Sequence, residues 1–559
     1  MGNDRPSHQA YDLIVIGGGI NGAGVVRDAA LRGLKVVLLE KGDFCSGTTS
    51  WSTRLIHGGL RYLEFFEFAL VRESLREREI LLRIAPHLVQ PLLLTIPIYR
   101  DRSRPQWKIR AGMALYDVLS YDKTLPPHRM LPLPQFRQLL RSIDATHLRG
   151  GAQYYDAQIA YAERLVLENV VAAAAAGATV LNYVEVMRLN RKDDRITSLA
   201  CRNWLTGEEF TVEGNQNTVI INTSGPWVDE VLSRQNEPTR PTGRDRKIGG
   251  TKGSHLIVAP FPGAPQGFAL YVEAKSDGRP FFIVPWLGMV LIGTTDIPYS
   301  GSLDNVKASN EEVDYLLTET NALIATAQLS RQDVKFTYSG VRPLPNSEGK
   351  QPGSITRRHW LYDHTSEGVT NLISLIGGKI TTYRQVGQEM VDAVYRKQGR
   401  RAPPCLTATQ PLPGAILPED DRIQQAMHNY RGLPVATIVY LFSVYGASAT
   451  EVLALTDSEP KLADALMPPL PDIKAQIVYA IQSEYARTLV DLASRRTTLA
   501  MHTNYGVEVL PAIVQVLEKY CGWTRAECDR QTAAYWNYMA ANCIPDYALP
   551  QFESMGNSH

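Results

Sequence analysis

Residues 11 to 40 hold the feature that most constrains the fold of this 559-residue chain. They read YDLIVIGGGINGAGVVRDAALRGLKVVLLE, and the apolar run from Leu13 to Ile16 is typical of a buried parallel strand that ends at glycines. Apolar residues at helical spacing begin near Asn21, and a second apolar strand runs from Val36 to Leu39. Strand, helix and strand in this order predict a βαβ unit and therefore a parallel sheet.

The turn of this unit carries the pattern Gly17-x-Gly19-x-x-Gly22. Such glycines permit a tight turn and let the backbone approach a pyrophosphate that rests on the helix N-terminus. Glu40 closes the second strand, where a carboxylate can accept hydrogen bonds from ribose hydroxyls. An ordinary tight turn would explain the glycines alone, but it would not explain an acidic residue at the end of the second strand. Because the motif occurs once and near the beginning of the chain, it favours FAD over a two-nucleotide reductase.

Three further stretches are typical of loops that surround such a cofactor. Residues 42–50 place small hydroxyl side chains directly after the ribose carboxylate, although a polar surface loop would look similar. Residues 218–227 form an apolar strand that ends in Ser224-Gly225-Pro226. Residues 372–384 predict a strand, a glycine pair and a helix start, whose free N–H groups can stabilise negative charge on a flavin.

These residues belong to blocks by which the chain resembles the FAD-dependent glycerol-3-phosphate dehydrogenases of the respiratory type. The blocks occur in family order over roughly residues 11 to 395 and read DLIVIGGGINGAG, STRLIHGGLRYLE, APHLVQP, NTSGPWV, KGSHLIV, PWLGMVLIGTTD, YSGVRPL, SITR and GGKITTYR. Two departures keep the local charge or size: Arg54 replaces the usual Lys, and Ser224 replaces the usual Ala.

The resemblance implies an α/β + α fold: a discontinuous Rossmann-type FAD domain, an antiparallel-sheet substrate domain and a helical C-terminal cap. We expect the FAD domain at 10–100, 155–230 and 340–400, the substrate domain at 101–154 and 231–339, and the cap at 401–550. A proline-rich linker near residue 411 marks the last boundary. Helical periodicity in the cap predicts helices over 477–496 and 507–520.

The implied reaction is oxidation of sn-glycerol 3-phosphate to dihydroxyacetone phosphate by hydride transfer from C2 to flavin N5. The implied electron acceptor is a membrane quinone, and the protein is expected on the cytoplasmic side, bound peripherally to the inner or plasma membrane. The oligomeric state stays open, a homodimer included. A soluble oxidase of the same family that uses oxygen is an open alternative. So are an amine or amino-acid oxidase of the wider FAD-oxidase superfamily and a flavin-binding scaffold without turnover.

A phosphomonoester substrate requires charge-assisted donors, preferably the planar fork of Arg. By resemblance, Arg342 and Arg357 form the phosphate clamp, and Lys379 lies beside flavin and substrate. Removal of the hydroxyl proton requires a base with a pKa near neutrality, for which His is the obvious candidate. Two histidines fall next to glycine in the family blocks, so His57 is the first candidate and His255 the second. An anchor for the flavin loop is the alternative role of His57.

The sequence therefore yields three sets of candidate residues. The catalytic candidates are His57, Arg342 and Lys379. The candidates for substrate contact are Arg54, His255, Arg342, Arg357 and Lys379. The candidates for FAD contact are Gly17, Gly18, Gly19, Asn21, Gly22, Glu40, Lys41, Thr48, Thr49, Ser50, Leu55, His57, Gly58, Ser224, Gly225, Gly378, Lys379, Ile380 and Thr381.

Composition excludes several other classes of protein. The formal charge is only +1, which gives no global electrostatic support for nucleic-acid binding. Six scattered cysteines without a C-x-x-C pair argue against a disulfide framework and favour a reduced, intracellular compartment. No metal-binding string is found. The apolar run at 170–181 is shorter than the roughly 20 residues of a spanning helix, so membrane contact is expected to be peripheral. Spacing favours a salt-bridged over a lipid-facing role for Arg487, Arg495 and Arg496.

Overall fold

Two β-sheets and a helical C-terminal region make up the computed structural model, which describes residues 10–235, 246–346 and 355–556. The strands are β1 (Tyr11–Ile16), β2 (Val36–Leu39), β3 (Leu55–Ile56), β4 (Val89–Tyr99), β5 (Arg129–Pro132), β6 (Leu148–Ile159), β7 (Thr179–Leu181), β8 (Val184–Lys192), β9 (Arg195–Asn203), β10 (Glu209–Asn222), β11 (Thr251–Val258), β12 (Ala269–Glu273), β13 (Pro280–Trp286), β14 (Met289–Gly293), β15 (Ile297–Pro298), β16 (Val334–Arg342), β17 (Trp360–Asp363) and β18 (Leu372–Ile376). The helices are α1 (Ile20–Leu31), α2 (Phe68–Ile84), α3 (Gln106–Leu119), α4 (Leu133–Leu139), α5 (Ala162–Ala175), α6 (Val228–Leu232), α7 (Asn310–Leu323), α8 (Tyr383–Lys397), α9 (Asp421–Asn429), α10 (Val435–Tyr445), α11 (Ala449–Ser458), α12 (Lys474–Ser483), α13 (Leu489–Asp491), α14 (Leu510–Tyr520), α15 (Arg525–Asn542) and α16 (Leu549–Gly556).

The first sheet has the order β17-β18-β10-β1-β2-β7, with β1 parallel to β2 and β10, and β10 parallel to β18. Strands β8 and β9 add an antiparallel extension to the first half of β10. The predicted βαβ unit is confirmed as β1, α1 and β2. Since parallel strands end at one edge of a sheet, the turns after β1, β2, β10 and β18 meet there.

Helix α1 packs between α5 and α8 on one face of this sheet. The approach of α1 to α8 depends on two glycines, because a Cβ at Gly387 would lie 2.8 Å from the backbone of Gly24. Buried Val25, Val26 and Ala29 complete the packed side of α1. The tight packing fixes the N-terminus of α1 against the strand ends that form the site.

The second sheet has the order β15-β11-β14-β13-β12-β4-β6-β3, with β16 beside β11 and β5 beside β6. Its pairs are antiparallel except for β12 and β4. This matches the predicted α/β + α fold. Strands β3 and β4 lie within the segment predicted for the FAD domain, yet they pair in this sheet. The domain boundaries remain predictions.

The C-terminal region is helical, but the helix predicted over residues 477–496 is not continuous. It consists of α12, a break at Tyr485 with φ 59°, α13 and a π-helix from Leu492 to Arg496. The segment Val435–Ser458, which comprises α10 and α11, is long and apolar enough to cross a membrane by length and composition alone. Half of its most apolar part is buried inside the protein.

Candidate active site

A cavity of about 710 Å³ opens where the turns after the parallel strands meet the second sheet. This volume lies in the upper part of the range of ligand pockets, ~300–1,000 Å³. Its lining contains twelve of the residues predicted for FAD contact: Gly17, Gly19, Asn21, Glu40, Lys41, Thr48, Thr49, Ser224, Gly225, Gly378, Lys379 and Ile380. The cavity therefore joins predicted residues as far apart in the chain as Gly17 and Ile380.

The turn after β1 is a tight cradle without room for side chains. A Cβ at Gly17, which has φ 102°, would lie 2.8 Å from the backbone of Ser224. The N–H groups of Gly18 and Gly42 donate to the two carboxylate oxygens of Glu40 at 2.6 and 2.8 Å. These bonds hold the carboxylate at the cavity wall, where each oxygen retains capacity to accept another hydrogen bond.

The hydroxyl-rich loop divides into lining and buried residues. Thr48 donates to the carbonyl of Val341 at 2.7 Å, and the N–H of Ile20 donates to Thr49 at 3.3 Å. Ser50 is buried and donates to the carbonyl of Cys45 at 2.6 Å, and Leu55 is buried in β3. Neither side chain lines the cavity. The same holds for Gly18, Gly22, His57, Gly58 and Thr381, and FAD contact by these residues stays a prediction.

His57 lies directly after β3, close to the turn that follows β18. Its backbone N–H donates to Thr381 Oγ1 at 3.2 Å, and its ring meets the edge of Phe282 with a centroid distance of 6.3 Å. Burial lowers the pKa of the imidazole, the carboxylate of Asp156 raises it, and the charge of Lys379 lowers it further. The ring is therefore neutral at neutral pH and able to accept a proton.

A buried network supports the glycine after His57. The N–H of Gly58 donates to Tyr116 Oη at 3.0 Å, and that hydroxyl donates to Asp156 at 2.8 Å. Arg78 also donates to Asp156, at 2.6 Å. A Cβ at Gly58 would lie 2.4 Å from the Tyr116 hydroxyl, so only glycine fits here. Nothing in the local sequence pattern distinguished Tyr116, Asp156 or Arg78 as supports of the site.

Arg342 and Arg357 converge on one carboxylate. Arg342 donates to one oxygen of Asp296 at 3.0 Å, and Arg357 to the other at 3.3 Å. The Arg342 and Arg357 side chains are 23% and 15% exposed, so a ligand can reach them. Burial, and then the neighbouring charge of Arg357, lower the pKa of Arg342 to about 10. Two cations that share one anion leave net positive charge for a further anion.

Lys379 brings a third cation to the same place. Its Nζ lies 2.5 Å from Ser74 Oγ and 5.0 Å from the ring centre of Tyr62. Burial is the main cause that lowers the pKa of Lys379 to about 8, and the charge of Arg357 adds to it. Tyr62, which sequence reasoning did not single out, is also close to both arginines, since their charges oppose the rise of its pKa on burial.

Arg54 does not contact the cavity, and its predicted role in substrate or flavin binding is wrong. Its guanidinium makes two 2.8 Å bonds to both carboxylate oxygens of Glu163 and lies 5.0 Å from the ring centre of Trp286. The side chain is completely buried. A guanidinium held in this way cannot turn to an anion in the cavity, because Glu163 would be left buried without its partner.

Replacement of Arg54 by alanine is therefore expected to destabilise the fold by about 3–5 kcal/mol, the usual cost of removing one partner of a buried ion pair. Thermal unfolding of Arg54→Ala and Glu163→Ala checks this, with the exposed pair variant Arg331→Ala as the control. A stable Arg54→Ala variant with a strongly raised KM would instead return Arg54 to the substrate site.

His255 does not line the cavity, although it lies close enough to Arg342 to feel its charge, and its predicted contact with substrate stays a prediction. It is buried, with Nε2 2.9 Å from Thr53 Oγ1 and its ring stacked on Tyr338 at 4.7 Å. Burial, together with the charges of Arg342 and Arg54, lowers its pKa well below the usual value. Its buried Nδ1 has no hydrogen-bond partner among the described residues, but Tyr338 and Thr53 enclose the ring, so His57 is the better candidate for the base.

Two C-terminal arginines bind the loop after β2, and one of them, Arg495, lines the cavity. Arg495 and Arg496 donate to Asp43, in the loop after β2, at 2.7 Å each. Both arginines are buried, so they form salt bridges and do not face lipid. Burial raises the pKa of Asp43, but the two arginines outweigh it and keep the pKa below its usual value. The C-terminal region is thereby tied to the cofactor loop.

The chain is similar in sequence to known FAD-dependent enzymes. Residues 12–384 match the FAD dependent oxidoreductase family, and residues 405–528 match the C-terminal domain of alpha-glycerophosphate oxidase. A glycerol-3-phosphate dehydrogenase of Synechocystis sp. is 60% identical over 97% of this chain and 98% of its own length. The chain belongs to the FAD-dependent glycerol-3-phosphate dehydrogenase family. The recognition made from the sequence blocks is confirmed.

One further sequence relative and one solved structure are also similar to this member of the glycerol-3-phosphate dehydrogenase family. D-erythritol 1-phosphate dehydrogenase of Brucella abortus is 38% identical over 88% of this chain and 95% of its own length. The crystal structure of the glycerol-3-phosphate dehydrogenase from Bacillus halodurans, complexed with FAD, has a TM-score of 0.76 at 26% identity and covers 96% of both chains.

FAD is the cofactor of this protein, and the residues that line the cavity are suited to bind it. The glycine cradle excludes side chains next to the N-terminus of α1, where a pyrophosphate binds favourably. Asn21 lines the cavity, and its buried Oδ1 has no hydrogen-bond partner among the described residues, as expected of a group that meets a ligand. Glu40 is placed for ribose hydroxyls. Across the described residues, no group of His, Cys, Asp or Glu could hold a metal ion.

Proposed function

We propose that the protein oxidises sn-glycerol 3-phosphate to dihydroxyacetone phosphate. The observation that carries the proposal is the convergence of Arg342, Arg357 and Lys379 beside a neutral His57. The names of the most similar relatives support the same substrate class. When bound, FAD supplies the acceptor for the hydride that leaves C2.

The cation cluster is suited to a phosphomonoester, which carries about −1.5 to −2 charges at pH 7. Arg342 and Arg357 present planar donor groups, and Asp296 keeps them in place before substrate arrives. Lys379 contributes a point charge that lies both on the cavity wall and near His57. A phosphate held by the three cations would therefore place a three-carbon alcohol within reach of the imidazole.

His57 is proposed to take the proton from the C2 hydroxyl as the hydride leaves. Because burial and the charge of Lys379 lower its pKa, the imidazole is unprotonated at neutral pH and ready to accept. Asp156 lies behind it, hydrogen-bonded to Tyr116 and Arg78, and its charge favours the imidazolium that forms. The network also fixes Gly58 and so the position of the ring.

Lys379 gives the substrate KM a pH dependence. With a pKa of about 8, its ammonium is present below that pH and lost above it. We expect the KM for glycerol 3-phosphate to rise up to about tenfold between pH 7 and pH 9 as the charge disappears. Steady-state kinetics measure this, and Lys379→Arg, which keeps its charge, should show a flatter profile. Identical profiles for the two enzymes would remove Lys379 from the phosphate site.

For the acceptor, we propose a membrane quinone, with the protein bound peripherally to the cytoplasmic face of the membrane. The alternative is a soluble oxidase that reduces oxygen. Purified enzyme is supplied with glycerol 3-phosphate in air, with and without a short-chain ubiquinone, while oxygen uptake and peroxide are followed. We expect turnover only with the quinone. Rapid oxygen uptake with peroxide formation in its absence would contradict the proposal.

A further inference from the structure

Three ionisable side chains lead from Lys379 to the protein surface. Helix α2 passes beside Lys379 at Ser74, whose Oγ accepts from Lys379 Nζ at 2.5 Å. The residue before Ser74 is Glu73, and among the neighbouring charges its carboxylate acts most strongly on Lys379. Oε1 of Glu73 lies 3.6 Å from Nδ1 of His359. The other ring nitrogen of His359 lies 2.7 Å from Oε2 of Glu389 on α8.

The two ends of this series of residues open onto different spaces. Lys379 lines the cavity of the active site, whereas Glu73, His359 and Glu389 do not. The side chain of Glu389 is 39% exposed. Between the two ends, the side chains of Glu73 and His359 are only 15% and 6% exposed. The series therefore crosses a layer of protein that separates the cation cluster from solvent at α8.

Glu73 has the features of a carboxyl group that changes its protonation state. Its Oε1 is buried and has no hydrogen-bond partner among the described residues, which is costly for a carboxylate that stays charged. Burial is the main cause that raises the pKa of Glu73, and the charges of Glu389 and Glu77 add to it. The charges of His359 and Lys379 oppose the rise. The raised pKa of Glu73 lies closer to that of Lys379, about 8, so a proton passes between them at a smaller cost.

The next carboxylate on the same face of α2 has a different environment. Glu77, one helical turn after Glu73, is completely buried and accepts from Arg384 with both oxygens, at 2.6 and 2.7 Å. A guanidinium that donates to both oxygens holds a carboxylate in its charged state. Glu73 instead faces an imidazole, which can both accept and release a proton. The contrast assigns a structural role to Glu77 and leaves Glu73 free to titrate.

We propose that Glu73 and His359 form a proton path from the active site to Glu389 at the surface. The inference rests on the proposed oxidation, in which the hydride carries both electrons to the flavin and the hydroxyl proton stays on His57. Once the product has left, the imidazolium of His57 and the ammonium of Lys379 repel each other without a phosphate to compensate them. Lys379 then gives one proton to Glu73 and takes one from His57. From Glu73 the proton passes through both nitrogens of His359 to Glu389 and water, and no further reactant is needed.

Comparison of the first turnover with repeated turnover of the FAD-loaded enzyme tests the proton path. At saturating glycerol 3-phosphate, Glu73→Gln should bleach the flavin anaerobically within about twofold of the wild-type rate, because His57 takes the first proton. Its steady-state kcat with ferricyanide, which accepts electrons without protons, should fall about tenfold or more. Imidazole added to the solution should restore most of this loss by carrying the proton away. His359→Gln should show the same separation of the two rates.

The controls are Asp314→Asn and His428→Gln, which make the same kinds of exchange at exposed positions and should turn over as the wild type does. Wild-type kcat in both Glu73→Gln and His359→Gln would overturn the proton path and show that the proton leaves through the cavity. Slow turnover that imidazole does not restore would also overturn it, since the defect would then be structural. Failure of glycerol 3-phosphate to bleach the wild-type flavin would contradict the proposed reaction itself, and the proton path with it.

Discussion

Replacement of His57 by alanine is expected to slow anaerobic reduction of the flavin by glycerol 3-phosphate by roughly 100-fold or more, with FAD still bound. In the proposed reaction the imidazole is the neutral proton acceptor next to the cation cluster, so its removal would leave the C2 hydroxyl proton without a base. Burial is the first cause of its lowered pKa, so the wild-type rate should stay constant through neutral pH and fall only as acid protonates the ring. Stopped-flow absorbance at the flavin band measures both effects.

The control for this variant is His428→Ala, which removes an exposed histidine of the C-terminal region and should reduce normally. The His57→Ala enzyme should also lose the fall in rate at acid pH, which a change of folding alone would not produce. Near-normal reduction by His57→Ala would move the base elsewhere. His255 is poorly placed to take over because Tyr338 covers its ring and Thr53 occupies Nε2.

Replacement of Arg342 by alanine is expected to lower kcat/KM about 100-fold, equivalent to about 2.7 kcal/mol, mainly through a higher KM. The variant leaves Arg357 alone on Asp296, so the excess positive charge that attracts a phosphate is lost. If the phosphate also positions C2 relative to His57, kcat falls as well. Arg342→Lys keeps the charge but lacks the planar fork of donors, so its kcat/KM should lie between those of the wild type and Arg342→Ala.

Steady-state kinetics with purified holoenzyme measure the Arg342 effect, and FAD content and thermal unfolding show whether the variant is folded. Arg331→Ala is the matched control because Arg331 forms an ion pair with Asp314 at the surface, remote in role from the site. Unchanged kinetics for Arg342→Ala would mean that the phosphate binds elsewhere. A loss of FAD without a change in KM would assign Arg342 to the cofactor.

Local sequence patterns were sufficient for the nucleotide end of the site. The βαβ unit, Glu40 and the glycine pair after β18 each follow from residues that are close in the chain, because periodicity and turn chemistry are local properties. The convergence of Arg342, Arg357 and Lys379 came from the family resemblance, and the structure brings these side chains together.

Partners distant in the chain could not be predicted. Arg54 was a candidate for substrate contact, but Glu163, 109 residues later, neutralises it. Spacing favoured a salt-bridged role for Arg495, but no local pattern indicates its partner Asp43, which lies 452 residues away in the cofactor loop. Asp296 holds Arg342 and Arg357, and Tyr62 lies close to both arginines. Neither relation can be seen in the sequence, because the residues belong to segments that meet only in the folded protein. A basic residue in a sequence therefore indicates an anion-binding site only if no acidic side chain neutralises it in the folded protein.

The most direct test is an anaerobic titration of the FAD-loaded enzyme with glycerol 3-phosphate, followed at the visible band of the flavin. We expect the band to bleach as substrate is added and to return when a short-chain quinone is supplied, with dihydroxyacetone phosphate as the product. D-erythritol 1-phosphate and an amino acid serve as comparison substrates. A flavin that stays oxidised with glycerol 3-phosphate, or that bleaches only with one of these comparison substrates, would contradict the proposed reaction.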